Sequence, residues 1–149
     1  MKKQLQHLLV NGHFEEAEAL YEQLDFHVFR DLLVEVAFDN LDESNYLFVA
    51  YLLQQNEQAN LHDLAYLLMA QPLCHMEHAY FIAYKHAENA AVLTDYAETS
   101  LLENILFLHG VPDQVVSETE AEEVARKILA IDARNVVATK WLHVQQAKQ

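Results

Sequence analysis

Only two glycines and two prolines occur among the 149 residues of this chain, and this scarcity restricts the possible folds more than any other feature. Strands need frequent turns, and turns draw on glycine, proline, asparagine and aspartate. Leucine, alanine, glutamate and glutamine are abundant instead, and these residues favour helix or suit its exposed positions. The sequence therefore predicts an all-α fold in which long helices are joined by short polar loops.

Apolar residues recur at helical spacing along the chain. In one segment Ala17, Leu20, Tyr21 and Leu24 occupy positions i, i+3, i+4 and i+7, which line one face of a helix. The predicted helices cover residues 2–10, 14–24, 26–39, 43–56, 61–70, 74–88, 91–109, 118–131 and 135–146. We expect these eight to nine helices to form one domain over residues 1–149, a stack of antiparallel helix pairs.

Several predicted helix ends carry capping signals. Gly12 follows the first helix, and Gly110 follows the helix predicted to end at residue 109, each in the position of a C-cap glycine. Ser117 is followed three residues later by Glu120, the spacing of a capping box. Asp42 is suited to cap the helix predicted to start at residue 43. These signals support the helix limits that periodicity suggests.

Two segments resemble the tetratricopeptide-type helical repeat. The segment Leu9-x-x-Gly12-x-Phe14-x-x-Ala17-x-x-Leu20-Tyr21 is similar to the interior of that family's helical hairpin. Residues 123–135 are similar to its second helix and to the loop that leads into the next repeat. The two segments lie roughly three periods of about 34 residues apart. The resemblance implies an α-α superhelix, a TPR-like stack, and a role in binding other proteins.

Charge is distributed unevenly along the sequence. Residues 31–125 contain seventeen aspartates and glutamates but one basic residue, Lys85, whereas residues 126–149 contain five basic residues and one acidic residue. So acidic a central part offers little positive charge to a phosphate backbone, and nucleic-acid binding is disfavoured. The same charge steers a basic or mixed-charge protein toward the chain. We therefore expect such a protein partner.

The sequence also bears on location. The run Leu8-Leu9-Val10 is too short for a signal-peptide core, and no apolar span of about 18 residues exists that would cross a membrane. Cys74 is the only cysteine, so no intramolecular disulfide forms. These observations predict a cytoplasmic protein without membrane contact, present as a monomer or weak homodimer.

The region around the single cysteine is the first candidate site. If residues 74–88 are helical, Cys74 and His78, or His75 and His78, lie on one face and supply two metal ligands. A structural zinc site needs four ligands, and no other cysteine or suitably spaced histidine pair is present. We expect no metal here, and the cysteine to pack as a small apolar residue.

The same predicted helix offers a second candidate site, for protein contact. Tyr80, Tyr84, Lys85 and His86 are the residue types that line grooves in helical-repeat proteins, and tyrosine suits interfaces because its ring is apolar and its hydroxyl polar. We predict that these four residues contact a partner. Phe81 and one of the two tyrosines are expected to pack in the core.

Catalytic motifs are missing from the sequence. It contains no Gly-x-Ser-x-Gly, no glycine-rich phosphate loop and no kinase-type signature, so we expect neither enzymatic activity nor a cofactor. The favoured interpretation is a non-enzymatic adaptor or scaffold that binds a protein through a groove and an acidic surface. Two alternatives remain: an immunity protein that neutralises a basic toxin such as a nuclease, and a metal or small-ligand sensor built around Cys74 and His78.

Overall fold

The computed structural model describes residues 1–148, and every regular element in that range is an α-helix. The nine helices of the described range are α1 Lys2–Val10, α2 Phe14–Gln23, α3 Phe26–Asn40, α4 Ser44–Gln55, α5 Ala59–Ala70, α6 Ala79–Leu93, α7 Thr99–His109, α8 Glu118–Ile131 and α9 Val136–Ala147. The predicted all-α stack is confirmed. Between residues 1 and 148 no helix is both long and apolar enough to cross a membrane.

Each helix from α4 onward packs mainly against its neighbours in sequence. The α5–α6 pair has the most extensive contact, and α6 buries a row of alanines, including Ala83, Ala87 and Ala90. Small side chains let helix axes approach closely, so this row explains the tight packing of α6. At the amino-terminal end α1 also contacts α3 and α4, so the first four helices form a more compact group.

Aromatic side chains hold the first helices together. Phe29 of α3 and Phe48 of α4 are fully buried, with ring centroids 5.9 Å apart. Phe14 of α2 packs edge-on against Phe48 at 5.4 Å, and Tyr21 packs against Phe29 at 4.9 Å. Such pairs stabilise a core by about 1 kcal/mol each beyond their buried area. This cluster is the core of α2, α3 and α4.

The predicted caps are present, with one difference. Gly12 follows α1 with a φ of +72°, a left-handed conformation that glycine adopts without strain. The Oγ of Ser117 accepts a hydrogen bond from the backbone N–H of Glu120 at 3.1 Å, which caps α8. The Glu120 carboxylate, however, turns to α6 instead of completing the capping box. The carboxylate of Asp42, one residue before the N-cap Glu43, accepts from the N–H of Ser44, the first residue of α4, at 3.0 Å.

The helix predicted over residues 74–88 begins later, at Ala79. Residues 71–78 form a series of turns after α5, and His78 has a φ of +62°, which is incompatible with a continuing right-handed helix. The buried side chain of Leu73 anchors this segment to the core. The prediction that Cys74, His75 and His78 share a helix face is therefore wrong.

The single helix predicted over residues 91–109 is also wrong, because α6 ends at Leu93 and α7 begins at Thr99. Asp95 and Tyr96 adopt left-handed φ angles of 53° and 58°. The backbone N–H of Tyr96 bonds back to the carbonyl of Ala91 at 2.8 Å, the bond that closes a Schellman-type helix end. Thr94 supports this end, since its Oγ1 lies 3.1 Å from the carbonyl oxygen of Ala90.

Candidate functional site

A chain of polar side chains runs through the middle of the stack and centres on His86 of α6. Its Nε2 lies 2.8 Å from the hydroxyl of Tyr46 on α4, and its Nδ1 lies 2.9 Å from the Nδ1 of His62 on α5. The Nε2 of His62 lies 2.9 Å from the carboxylate of Glu57, just before α5. His62 is 4% exposed, so the middle of this network is out of contact with solvent, whereas Glu57 at its end is exposed.

One arrangement of protons satisfies every member of this chain. The carboxylate of Glu57 only accepts, so the Nε2–H of His62 donates to it and leaves the Nδ1 of neutral His62 as an acceptor. The Nδ1–H of His86 then donates to His62, and the free Nε2 of His86 accepts from the Tyr46 hydroxyl. Both imidazoles are neutral in this arrangement.

The electrostatics agree with a neutral His86 ring. Burial, and then the electrostatic influence of the neighbouring His62 ring, lower the pKa of His86 to about 4. Burial also raises the pKa of Tyr46 above its usual value, so its hydroxyl stays protonated and able to donate. At neutral pH the chain therefore holds α4, α5 and α6 together as a satisfied network of hydrogen bonds.

A second polar group lies on α6, around Tyr84. Its hydroxyl is 2.6 Å from a carboxylate oxygen of Glu120 on α8 and 2.8 Å from one of Glu88 on α6. Burial first, then these two hydrogen bonds, raise the pKa of Tyr84. One hydroxyl brings two carboxylates from different helices together, so negative charge is concentrated at this place.

The structure separates the four predicted contact residues of α6 into two groups. Tyr84 and His86 are half-buried, and each is hydrogen-bonded to side chains of this same protein: Tyr84 to Glu120, and His86 to His62. Tyr80 is half-buried near the Cys74 thiol, whereas Lys85 is exposed with its Nζ 5.6 Å from the ring centre of Phe81. Their contact role stays a prediction. The expected burial of Phe81 is wrong, since its side chain is 51% exposed.

The candidate metal ligands Cys74, His75 and His78 are all exposed, on the turns before α6. His78 lies 3.4 Å from the carboxylate of Glu77, with both side chains largely in solvent. In residues 1–148 no three histidine, cysteine or acidic side chains converge in a way that suits a metal ion. The turns also remove the i, i+4 geometry on which the two-ligand idea depended.

The central part of the chain presents an acidic surface that is mostly not neutralised. Within the described residues, four of the seventeen carboxylates between residues 31 and 125 have a lysine or arginine nitrogen within 4 Å: Asp31, Glu35, Asp39 and Glu122. We name the exposed carboxylates of residues 31–125, together with Glu88 and Glu120, the acidic surface. Such a surface attracts cationic side chains over a distance of about 10 Å at ordinary salt.

The sequence pointed to His86 as a contact residue but not to its partners Tyr46 and His62, nor to Glu57, the partner of His62. His62 lies 24 positions before His86 in the sequence, and Tyr46 lies 40 positions before it, each on a neighbouring helix. One signal was present, because His62 lies between the apolar residues Leu61 and Leu64 of α5, and a polar residue that is buried there needs a partner. Nothing in the sequence indicates which partner it has.

Compared with known proteins, the chain matches no model of a protein family, no curated protein and no solved structure. The resemblance to tetratricopeptide-type repeats therefore remains a prediction that rests on residues near the two ends of the sequence.

Proposed function

We propose that this protein is a non-enzymatic scaffold that binds a basic or mixed-charge protein through its acidic surface. One observation carries the proposal: most carboxylates of residues 31–125 lack a cationic neighbour among the described residues. Unneutralised charge on one part of a molecule raises self-repulsion and speeds capture of an oppositely charged partner. A net charge of −14 also exceeds the magnitude of about 2–8 that solubility asks of a small domain.

The surface of α6 supports the same proposal. Tyr84 brings the carboxylates of Glu88 and Glu120 together, and a cationic side chain of a partner would relieve their mutual repulsion. Phe81 and Lys85 are exposed residues of α6 near Tyr84 in sequence, and they would supply an apolar and a polar contact. The buried chain around His86 serves to hold the helices that carry this surface.

A pull-down comparison of matched charge variants tests the proposal. The first variant, Glu43→Gln with Glu98→Gln and Glu118→Gln, removes three exposed carboxylates of the acidic surface. The second, Glu15→Gln with Glu16→Gln and Glu22→Gln, removes three exposed carboxylates of α2 and changes the net charge equally. We expect wild type and the α2 variant to retain the same protein at low salt, and the first variant to lose it.

High salt should release the partner from wild type, because ions screen exposed charge. Purified partner and scaffold should then reassociate, with a Kd that rises steeply with salt. Retention of no protein at low salt, or equal retention by both variants, would sink the proposal.

A further inference from the structure

The outer face of the last helix forms a second surface of opposite character. Between α7 and α9 lies an open groove with a volume of about 500 Å³. Its walls are mainly apolar side chains, several of them strongly exposed: Val136 at 74%, Phe107 at 49%, and also Val137 and Val144. Contiguous exposed apolar residues on a soluble chain mark a place where another molecule binds.

Two helices shape this groove. Glu103 of α7 meets Asn135 at the start of α9. His109, the last residue of α7, lines the same depression as Lys148, just after α9, so the two helices run in the same direction. A second depression of about 810 Å³ continues the groove toward that end. Trp141 lines both parts and packs edge-on against His109 with ring centres 5.5 Å apart. The groove follows the length of α9, about 18 Å.

The charges at the rim are basic. Lys140 lines both parts of the groove, Lys148 lines the second part, and Arg134 lies beside Lys140 around the turn before α9. Among the lining residues within 1–148 the one carboxylate, that of Glu103, already accepts a hydrogen bond from the side-chain amide of Asn135 at 3.0 Å. This basic rim contrasts with the acidic surface elsewhere on the molecule.

We propose that the α7–α9 groove binds an amphipathic helix that carries acidic residues beside its apolar stripe. An elongated apolar trough between two helices suits the apolar face of a third helix, whereas residues 1–148 contain no sheet edge to which a strand could be added. Carboxylates flanking the stripe would meet Lys140, Lys148 and Arg134. This site is independent of the acidic surface, since it takes a partner segment of the opposite charge.

The test uses Trp141, the only tryptophan, as a reporter within the groove. A tryptophan-free helical peptide of about 18 residues, with leucine along one face and glutamate elsewhere, is titrated into the full chain. Its companion carries lysine in place of every glutamate. We expect the acidic peptide to change Trp141 emission with a Kd on the order of tens of micromolar, and the lysine peptide to leave that emission unchanged. The lysine peptide is free to bind the acidic surface, none of whose carboxylates is among the described residues that line the groove.

Variants locate the binding. Val144→Glu and Val136→Glu place a negative charge in the groove at exposed positions, so the fold should tolerate them. Each should raise the Kd of the acidic peptide about tenfold. The matched control Val92→Glu, at an exposed valine of α6, should leave its Kd within about twofold. Lys140→Glu with Lys148→Glu should remove the preference for the acidic peptide.

An equal response of Trp141 to both peptides, or no response, would overturn the proposal. So would binding that survives both valine variants. Sedimentation equilibrium of the chain alone gives the remaining contrary outcome: self-association that Val144→Glu abolishes, together with no binding of the acidic peptide, would make the groove a contact between copies of this chain.

Discussion

A proton on His86 is disfavoured in the folded protein, because the ring is buried and the His62 ring lies 2.9 Å from its Nδ1. The pKa of His86 is about 4 in the fold and about 6.5 in an unfolded chain. Between these two pH values His86 is mainly protonated in the unfolded chain and mainly neutral in the folded one. The stability due to His86 is therefore fully present above about pH 6.5 and is lost as the pH falls toward 4.

His86→Gln tests this, since glutamine is neutral and both donates and accepts hydrogen bonds. On going from pH 7 to pH 5, urea unfolding should show wild type losing about 2 kcal/mol more than the variant. His27→Gln, at an exposed histidine of α3, should keep the wild-type dependence on pH. The same pH dependence in His86→Gln and wild type would contradict the assignment.

Gly12 and Gly110 form a matched pair at the ends of α1 and α7. Gly12 has a φ of +72°, while Gly110 has a φ of −86° and an added Cβ there would meet the carbonyl of Phe107 at an ordinary 3.5 Å. We expect Gly12→Ala to lower the free energy of unfolding by about 1 kcal/mol, and Gly110→Ala to leave it unchanged or raise it by a few tenths. Equal effects in denaturant titrations would contradict this reading of the two turns.

At the scale of single helices, α9 depends on Asn135. Its Oδ1 accepts from the N–H of Ala138 at 2.9 Å, which caps the helix, and its Nδ2 donates to Glu103 of α7. Asn135→Ala should cost about 1–2 kcal/mol, because it removes the cap and leaves a half-buried carboxylate without its donor. Ser117→Ala removes a cap of α8 at an exposed serine and should cost less.

Urea titrations followed by circular dichroism give these free energies, and Trp141 emission reports α9 directly. In Asn135→Ala the Trp141 signal should change at lower urea than the overall helix signal. If Ser117→Ala lowers the free energy of unfolding as much as Asn135→Ala does, the hydrogen bond between Asn135 and Glu103 adds nothing to stability.

Helix ends show how far the sequence determines the elements. The helix ends at Gly12 and Ser117 could be predicted from the sequence, because a glycine turn and a hydroxyl cap depend on local chemistry alone. The break between α6 and α7 at Asp95 and Tyr96 could not be predicted, because neither residue is glycine. Their left-handed conformations go with the packing of α6 against α7. His86 could be singled out from the sequence as a polar residue of interest. Its partners on α4 and α5 could not, because tertiary contacts decide which side chains meet it.

For the whole molecule, the net charge of −14 predicts a dependence of stability on salt. Repulsion among the unneutralised carboxylates weakens the folded state, and added ions screen it. Raising sodium chloride from about 20 to about 300 mM should raise the Tm by a few degrees. The variant Glu43→Gln with Glu98→Gln and Glu118→Gln should respond less. A Tm independent of salt in wild type would show that the acidic surface costs the fold little.

The order of contacts along the stack also decides where the chain opens first. Because α4 to α9 pack mainly on sequence neighbours, the contacts close short loops, a topology of low contact order that forms rapidly. The two ends differ: α1 reaches α2, α3 and α4, whereas α9 rests on α7 and α8 with Ala138 as its one fully buried residue. Amide hydrogens of α9 should therefore exchange with solvent long before those of α5 and α6. The carboxyl-terminal helix would then open and close on its own while the remainder of the stack stays folded.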